Sequence, residues 1–445
     1  MKSYLKYIPS TIAGVDQVPK HWKVYRLKSL AQIIPSNVDK KTKEGEQEVY
    51  LCNYLDVYNN DFITENDDFM KASASETQIE KLLLQESDVI ATKDSEDPYD
   101  IGIPTLVKTS FDDVVCGYHL TLIRSKKSLL DGNWLYWYLR SNHTAQYFAK
   151  IARGITRYAL GTDAFKNIPI SLPPIQEQES IANFLDEKVN LINETINDKE
   201  RLLNLYEEEK KAIIKHAVTK GIDPNVILKD SGIAWLGKIP KHWKLAKISR
   251  SFNIIGSGAT PKSGLKKYHF EGTHNWLLTG NLNDGIITET PRKITSKALE
   301  DYSALKKYPK GSIVIAMYGA TIGKLGILDV ETTTNQACCV MHGSSVFDTQ
   351  YAFYHLLSIR NEIINLSVGG GQPNISQEII KSIKLVCPSI VEQKEIVSYI
   401  NDELQVIENK KNDIKKETKL LKEFKESLIF EAVTGKIDVA KFSLN

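Results

Sequence analysis

The chain carries one frame twice. Pro19-Lys20-His21-Trp22 returns as Pro240-Lys241-His242-Trp243. Further on, Pro173-Pro174-Ile175-Gln176-Glu177-Gln178 returns as Pro388-Ser389-Ile390-Val391-Glu392-Gln393, and each of these motifs opens a long charged stretch. The stretches close alike, with Ala217-Val218-Thr219 before Ile222-Asp223 and Ala432-Val433-Thr434 before Ile437-Asp438. From the second motif to these closing residues the copies keep one offset of 215 residues without a gap. Between tryptophan and proline the two halves differ almost completely. Such a chain must fold as an internal repeat in which one scaffold presents two unlike inserts.

The charged stretches read as coiled coil. Ala182, Leu185, Val189, Ile192, Ile196, Lys199, Leu203, Tyr206, Lys210, Ile213 and Ala217 alternate spacings of three and four, the mark of heptad seam positions. Val397, Ile400, Leu404, Ile407, Lys411, Ile414, Thr418, Leu421, Lys425, Leu428 and Ala432 repeat the pattern, and neither stretch contains Pro or Gly. At about 1.5 Å per residue each seam spans roughly 54 Å. The first helix leads away from the first insert and delivers the chain to the second. Equivalent environments then require the second helix to run back, so the two are expected to pair antiparallel about a pseudo-twofold axis. Lys199, Lys210, Lys411 and Lys425 weaken the seam and help fix its register. Residues 221–243, with Ser231-Gly232-Ile233, follow the first helix as a linker, and residues 1–22, with Ser10-Thr11-Ile12, resemble it. The N-terminal segment is therefore expected beside the end of the second helix. A rod that only dimerises separate molecules is the competing reading.

Composition sets outer bounds. The 445 residues suffice for about three domains, and 42% hydrophobic with 25% charged residues is ordinary for a globular protein. No apolar run approaches the roughly 20 residues of a membrane helix, and Met1-Lys2-Ser3-Tyr4-Leu5-Lys6 lacks the apolar core of a signal peptide. Five cysteines without a CxxC spacing and nine scattered histidines give neither a disulfide framework nor a metal site. A cytoplasmic location is expected. The net charge of +2 hides an uneven distribution, because basic residues are in clear excess in 244–386. Within the first insert, 39–100 is acid-rich, whereas 124–157 holds seven basic residues against Asp131 alone. Basic residues gathered on one side of a domain can bind polyanions even when the whole protein is nearly neutral.

Both inserts read as α+β. In the first, 88–92 and 118–123 are expected strands, followed by a helix from about Asn133 to Ala152 with Trp134, Tyr138 and Tyr147 or Phe148 on one face. In the second, 311–316 and 337–341 are expected strands, with a helix from about Gln350 to Leu366. Several catalytic look-alikes fail. Gly319-Ala320-Thr321-Ile322-Gly323-Lys324 is one residue short of a phosphate loop, and Leu325 stands where Ser or Thr should hold magnesium. Asp97-Pro98-Tyr99-Asp100 suggests an amino-methyltransferase motif but lacks its second proline, and no glycine-rich cofactor loop lies upstream. Gly369-Gly370-Gly371 is a turn before Asn374 with no acidic partner. No catalytic residue and no metal ligand is assigned.

Taken together, these features resemble the DNA-specificity subunit of a Type I restriction–modification system along essentially the whole chain. The residues that carry the resemblance are the Pro-Lys-His-Trp and Pro-x-Ile-x-Glu-Gln pairs, Cys52-Asn53-Tyr54-Leu55-Asp56-Val57-Tyr58 in the first insert, and 318–324 with Thr334-Asn335-Gln336-Ala337-Cys338-Cys339 in the second. The resemblance implies an α+β protein with two globular target-recognition domains separated by a pair of long antiparallel coiled-coil helices. The first recognition domain would occupy 1–171, with 1–22 as its linker-like segment. The central helix would take 172–220, the linker 221–243, the second recognition domain 244–386, and the C-terminal helix and tail 387–445. Such a subunit is not itself an enzyme. It reads a split double-stranded DNA target, one half-site per domain, and its helices dock two methyltransferase subunits and set the spacer. S-adenosylmethionine, ATP and magnesium would sit on partner subunits, which include restriction/translocase subunits, and no cofactor is expected on this chain. A coiled-coil scaffold with two protein-binding heads and no DNA role is the first alternative; a solitary adenine methyltransferase or nuclease is the second, and the missing cofactor motifs argue against it.

Phosphate contacts set affinity and base-edge contacts set sequence. The DNA-contact candidates are Arg124, Lys126, Lys127, Arg153 and Arg157 in the first insert. In the second they are Lys262, Lys266, Lys267, Thr279, Asn281, Arg292 and Lys293. The coiled-coil seam is assigned to Leu185, Val189, Ile192, Ile196, Leu203 and Ile213, facing Ile400, Leu404, Ile407, Ile414, Leu421 and Leu428.

Overall fold

Each Pro-x-Ile-x-Glu-Gln motif starts a helix for local reasons. Proline just ahead of the first turn gives up no helical hydrogen bond, and Glu177 and Glu392 lie in the first turns, where the helix dipole favours a negative charge. The helices run Ile175–Lys220 and Ile390–Val433 without interruption. Gly221 and Gly435 follow their ends with φ of 82° and 74°, the left-handed conformation that stops a helix. The computed structural model describes residues 3–367 and 374–439.

The chain divides into two units, residues 1–200 with 415–445 and residues 201–414. In unit 1 a five-stranded sheet has the order Ala31–Pro35, Leu120–Ser125, Val89–Thr92, Pro104–Val107, Phe62–Ile63. Only its last pair is parallel. A three-stranded sheet of Val114–Cys116, Gln47–Cys52 and Met70–Ala74 lies beside it in the chain path. Unit 2 repeats both sheets in the same order. The five strands are Ile254–Ser257, Cys338–His342, Ile313–Ala316, Leu325–Leu328 and Gly285–Ile287, and the three are Thr333–Thr334, His274–Leu277 and Lys293–Ile294. Val89–Thr92 and Ile313–Ala316 are buried along their whole length, which is why they read as unbroken apolar runs rather than alternating ones.

Within each unit, parts of the two long helices pack antiparallel. In unit 1 Lys425 Nζ donates to Asn193 Oδ1 at 3.0 Å, and Lys199 pairs with Glu417 at 2.6 Å. In unit 2 Lys411 pairs with Glu207. As numbers rise on one helix, they fall on the other. Leu185, Val189, Ile192, Ile196 and Leu428 are buried in unit 1, and Ile400, Ile407 and Ile414 in unit 2. Leu203, Ile213, Leu404 and Leu421 are half-buried, while Ile214 is buried. The apolar face thus widens past the seam where the helix meets the second insert. The N-terminal segment lies where the linker analogy places it, since Tyr7 Oη donates to Gly435 O at 3.0 Å. A Cβ on Gly435 would stand 2.5 Å from Pro19 and 3.1 Å from the Trp22 ring.

The duplicated motifs meet in space. Trp22 Nε1 donates to Glu177 Oε1 at 3.0 Å and His21 Nε2 to Oε2 at 2.8 Å, and the Tyr4 hydroxyl reaches the same carboxylate. In unit 2 Trp243 Nε1 donates to Glu392 at 2.8 Å and His242 at 3.2 Å. The glutamine that follows is fully buried in both copies. Gln178 accepts from Asp131 N at 2.8 Å and donates to Leu129 O and Pro173 O. Gln393 accepts from Asp348 N at 2.7 Å and donates to Val346 O and Pro388 O. Each amide thereby satisfies three backbone groups, one of them, Pro173 O or Pro388 O, fully buried and costing roughly 1–3 kcal/mol if left unpaired.

Three expectations need correction. The helix expected over 133–152 is two, Gly132–Arg140 and Asn142–Ile151, because Ser141 takes extended angles and caps the second through Thr144 N. The helix expected over 350–366 likewise breaks into Thr349–Ser358 and Arg360–Asn365 at Ile359. Arg124 does not stand on the surface as a phosphate ligand. Its guanidinium donates to both oxygens of Asp88, at 2.9 and 2.7 Å, and to Leu83 O at 2.7 Å. The Asp88 side chain is 2% exposed and that of Arg124 20%, so the pair belongs to the domain interior. Gly369-Gly370-Gly371 lies outside the described residues.

Two measurements follow from these interiors. Arg124→Ala strands a buried carboxylate and should cost about 3 kcal/mol in urea unfolding, whereas Lys126→Ala should stay within about 0.5 kcal/mol. His355 is fully buried in unit 2, and its Nε2 accepts from Val386 N at 3.0 Å. Burial of the ring pushes its pKa down to about 4. The unfolded chain, with a pKa of about 6.5, binds the proton first. Stability should therefore fall as pH drops from about 6.5 towards 4, by about 3 kcal/mol in all. His355→Gln should flatten unit 2's unfolding midpoints across that window; an unchanged pH slope would assign the loss to other groups.

Candidate nucleic-acid interface

Unit 1 has a third sheet that connects distant parts of the first insert. Arg153–Gly154 and Tyr158–Ala159 form a hairpin, and the second arm pairs with Asp94–Ser95. The turn depends on Gly154, whose φ is 149°, because a Cβ there would lie 1.9 Å from Arg157 O. Leu160 N donates to Lys93 O at 2.8 Å, extending the junction. Arg153, Ile155, Thr156 and Arg157 are all exposed.

Around this hairpin lies a face of tyrosines and anchored carboxylates. Tyr54 and Tyr58 stack at 5.6 Å with an interplanar angle of 16°. Tyr58 donates to Asp100 Oδ2 at 2.5 Å, and that carboxylate holds the phenol above its ordinary pKa. Tyr54 is also raised, by burial first and then by Asp100 and Asp94, with Arg157 opposing them. Asp94 is held by His119 Nδ1 at 2.5 Å, and Asp97 caps its own turn through Tyr99 N. Lys93 Nζ sits 4.9 Å from the centre of the Tyr118 ring and donates to Ser36 O. Tyr99 is 75% exposed, and Tyr118 is also exposed. Aromatic side chains interleaved with Lys and Arg suit nucleic-acid contact, since cations meet phosphate and rings meet bases.

The structure separates the candidates of the first insert into two groups. Arg153 and Arg157 share the hairpin, near His119 at the start of strand Leu120–Ser125. Lys126 and Lys127 follow the far end of that six-residue strand, about 20 Å away at the usual rise. Lys126 Nζ donates to Ser29 O at 3.0 Å, and Lys127 is exposed. Tyr54, Tyr58, Lys93, Tyr99 and Tyr118 were not among the sequence candidates. The signal was present in part, because Tyr54 and Tyr58 stand four apart in the Cys52–Tyr58 run.

In unit 2 one candidate, Lys293, lies on the three-stranded sheet, and the others sit on the helix, turn and loops next to its strands in the chain. Lys266 and Lys267 sit on the short helix Lys266–His269, and Thr295 N donates to Tyr268 O at 3.0 Å, tying that helix to the strand Lys293–Ile294. Arg292 O accepts from Trp276 N at 3.1 Å. Lys262, Lys266, Lys267, Arg292 and Lys293 are exposed. Lys267 pairs with Asp301 at 3.3 Å, and Lys262 N donates to the Tyr302 hydroxyl. Thr279 and Asn281 form a 3-10 turn in which Asn281 Oδ1 accepts from Leu278 N at 3.0 Å. Asp56 does the same for Asn53 N in unit 1, at 2.6 Å. Asn281 is thus first a turn cap, with its NH2 group left for other partners. The segment 319–324 joins two antiparallel strands, Ile313–Ala316 and Leu325–Leu328. A phosphate loop is followed by a helix, so that likeness ends here.

Comparison with known proteins agrees with this repeat. The family described as "Type I restriction modification DNA specificity domain" matches residues 19–204 and again 240–437. The Type I restriction enzyme MjaVIII specificity subunit of Methanocaldococcus jannaschii is 26% identical over 439 residues, covering 95% of this chain and 94% of that one. The EcoKI specificity subunit of Escherichia coli is 25% identical over 208 residues, covering 45% and 44%. Among solved structures, the HsdS subunit from Thermoanaerobacter tengcongensis shares the fold with a TM-score of 0.59 at 17% identity, over 96% of this chain and all of that one. A chain solved in work on complex assembly and conformational transition of the type I R-M system reaches 0.71 at 16% identity, over 94% and 99%. With two copies of the domain accounting for most of its length, the chain belongs to the Type I restriction–modification DNA specificity subunits.

Proposed function

We propose that this specificity subunit reads a bipartite DNA target, one half-site per insert, and docks two methyltransferase subunits on its paired helices. The observation that carries this reading is one fold built twice with unlike polar surfaces. Arg153 and Arg157 with a tyrosine face mark the first copy, and exposed cations on the short helix Lys266–His269 and around the edge strand Lys293–Ile294 mark the second. On this reading the chain is an adaptor with no chemistry of its own. The methyltransferase subunits supply adenine N6 methylation from S-adenosylmethionine, and restriction/translocase subunits use ATP and magnesium. The target is duplex DNA, whose phosphates meet the exposed lysines and arginines and make affinity steeply salt-dependent.

Single-molecule methylome sequencing of cells with and without this chain tests the proposal. One bipartite N6-methyladenine motif should vanish on deletion. An unchanged methylome, or a partner complex without affinity for that motif, would leave a protein-binding scaffold as the better account.

The helix pair, on this reading, also sets the unread spacer. Inserting four residues near Leu203 and four near Ile414 lengthens both helices by about 6 Å and rotates their ends by about 40°. That rotation is close to the roughly 35° between successive base pairs. Methylation of the original target should fall at least about tenfold, and a target with a longer spacer should gain it. Equal methylation of both spacers would show that the helices do not set the distance.

A further inference from the structure

We infer that the hairpin Arg153–Ala159 is the element of the first insert that enters the major groove, with Ile155 reading a thymine methyl group. This rests on the DNA-reading role proposed above and names the residue through which one base pair is distinguished.

Exposure and rigidity together carry the inference. Ile155 is 91% exposed, at the start of the three-residue loop between paired positions Gly154 and Tyr158. A single exposed isoleucine is ordinary on a protein surface. This one is held out on a loop whose geometry only glycine at 154 permits, and the arm is clamped to Asp94–Ser95 by a further strand pairing. Arg153 and Arg157 stand on either side of it, exposed, and their guanidinium groups make no ion pair or hydrogen bond among the described residues. Nearby carboxylates are already engaged, Asp94 by His119 and Asp100 by Tyr58.

A two-stranded ribbon fits the major groove, where thymine alone presents a C5-methyl group. Two flanking cations can hold phosphates on either side of the groove, and an apolar tip between them can discriminate only by contact with that methyl. Thymine is available in any half-site that carries a target adenine, since it stands opposite.

The test uses the complex of the full chain with its methyltransferase partner and duplexes of the motif found by methylome sequencing. Each thymine of both half-sites is replaced singly by deoxyuridine, which removes only the methyl group. At one thymine, in one half-site, the unmodified protein should lose roughly fourfold in affinity, the worth of one buried methyl. Ile155→Ala should show that same loss on the natural duplex and be indifferent to deoxyuridine there. Ile227→Ala, at an exposed isoleucine in the linker, should behave as the unmodified protein. The inference is overturned if Ile155→Ala keeps the full deoxyuridine response at every thymine. It is equally overturned if Ile155→Ala fails to assemble with the methyltransferase subunit, because the tip would then face protein. Absence of motif binding by the unmodified complex would count against the proposed function instead.

Discussion

In each unit the linker, the insert and the long helix meet at one buried glutamine and the glutamate before it. Gln178 bonds the start of its helix to the segment before Gly132, and Glu177 draws in Trp22 and His21 from more than 150 residues away. The same atoms do the same work at Gln393, Glu392, Trp243 and His242. A buried amide with all its groups satisfied specifies one arrangement, since any other leaves donors and acceptors unpaired at a cost. Linker, insert and helix are thus joined at a single polar node. What lies between the nodes is free to change as long as both ends of the insert return to it.

That freedom is visible in how the two inserts differ. Both keep a five-stranded and a three-stranded sheet in one order, down to a turn closed by the side chain of Asp56 in one and Asn281 in the other. The surfaces on these frames diverge. The first builds a hairpin against Asp94–Ser95 and lines it with tyrosines, and the second carries its cations on a short helix and an edge strand. A rigid frame with changeable edges is what sequence-specific recognition needs, because side chains that read bases must be held by elements that do not move.

Much of the frame is legible in the sequence alone. The seam positions show because a heptad pattern is a direct record of which side of a helix is buried, and the repeat shows because the polar node needs Trp, Glu and Gln at set places. The breaks at Ser141 and Ile359 were not legible, since the apolar period continues through both and no Pro or Gly marks them. Arg124 resembles a surface cation in the sequence for a physical reason. Its partner Asp88 lies 36 residues away, and a basic residue next to Lys126 and Lys127 looks like part of a surface cluster until the fold brings the carboxylate to it. The tyrosine face does not show in the sequence because Tyr58 meets Asp100 and Tyr118 meets Lys93 only once the insert is folded.

The way the units draw on the chain sets an order of completion during synthesis. Unit 2 is continuous, whereas unit 1 takes residues from both ends of the sequence. Its main core includes Leu428, Ile429, Ala432 and Val433, which emerge from the ribosome only after the whole of unit 2. At about 5–20 residues per second this is a delay of roughly 10–40 s. For that time the apolar side of the first helix, from Leu185 to Ile196, waits without its partner. The later-made half of the protein finishes first, and the earlier half is the one exposed to wrong associations in the newborn polypeptide.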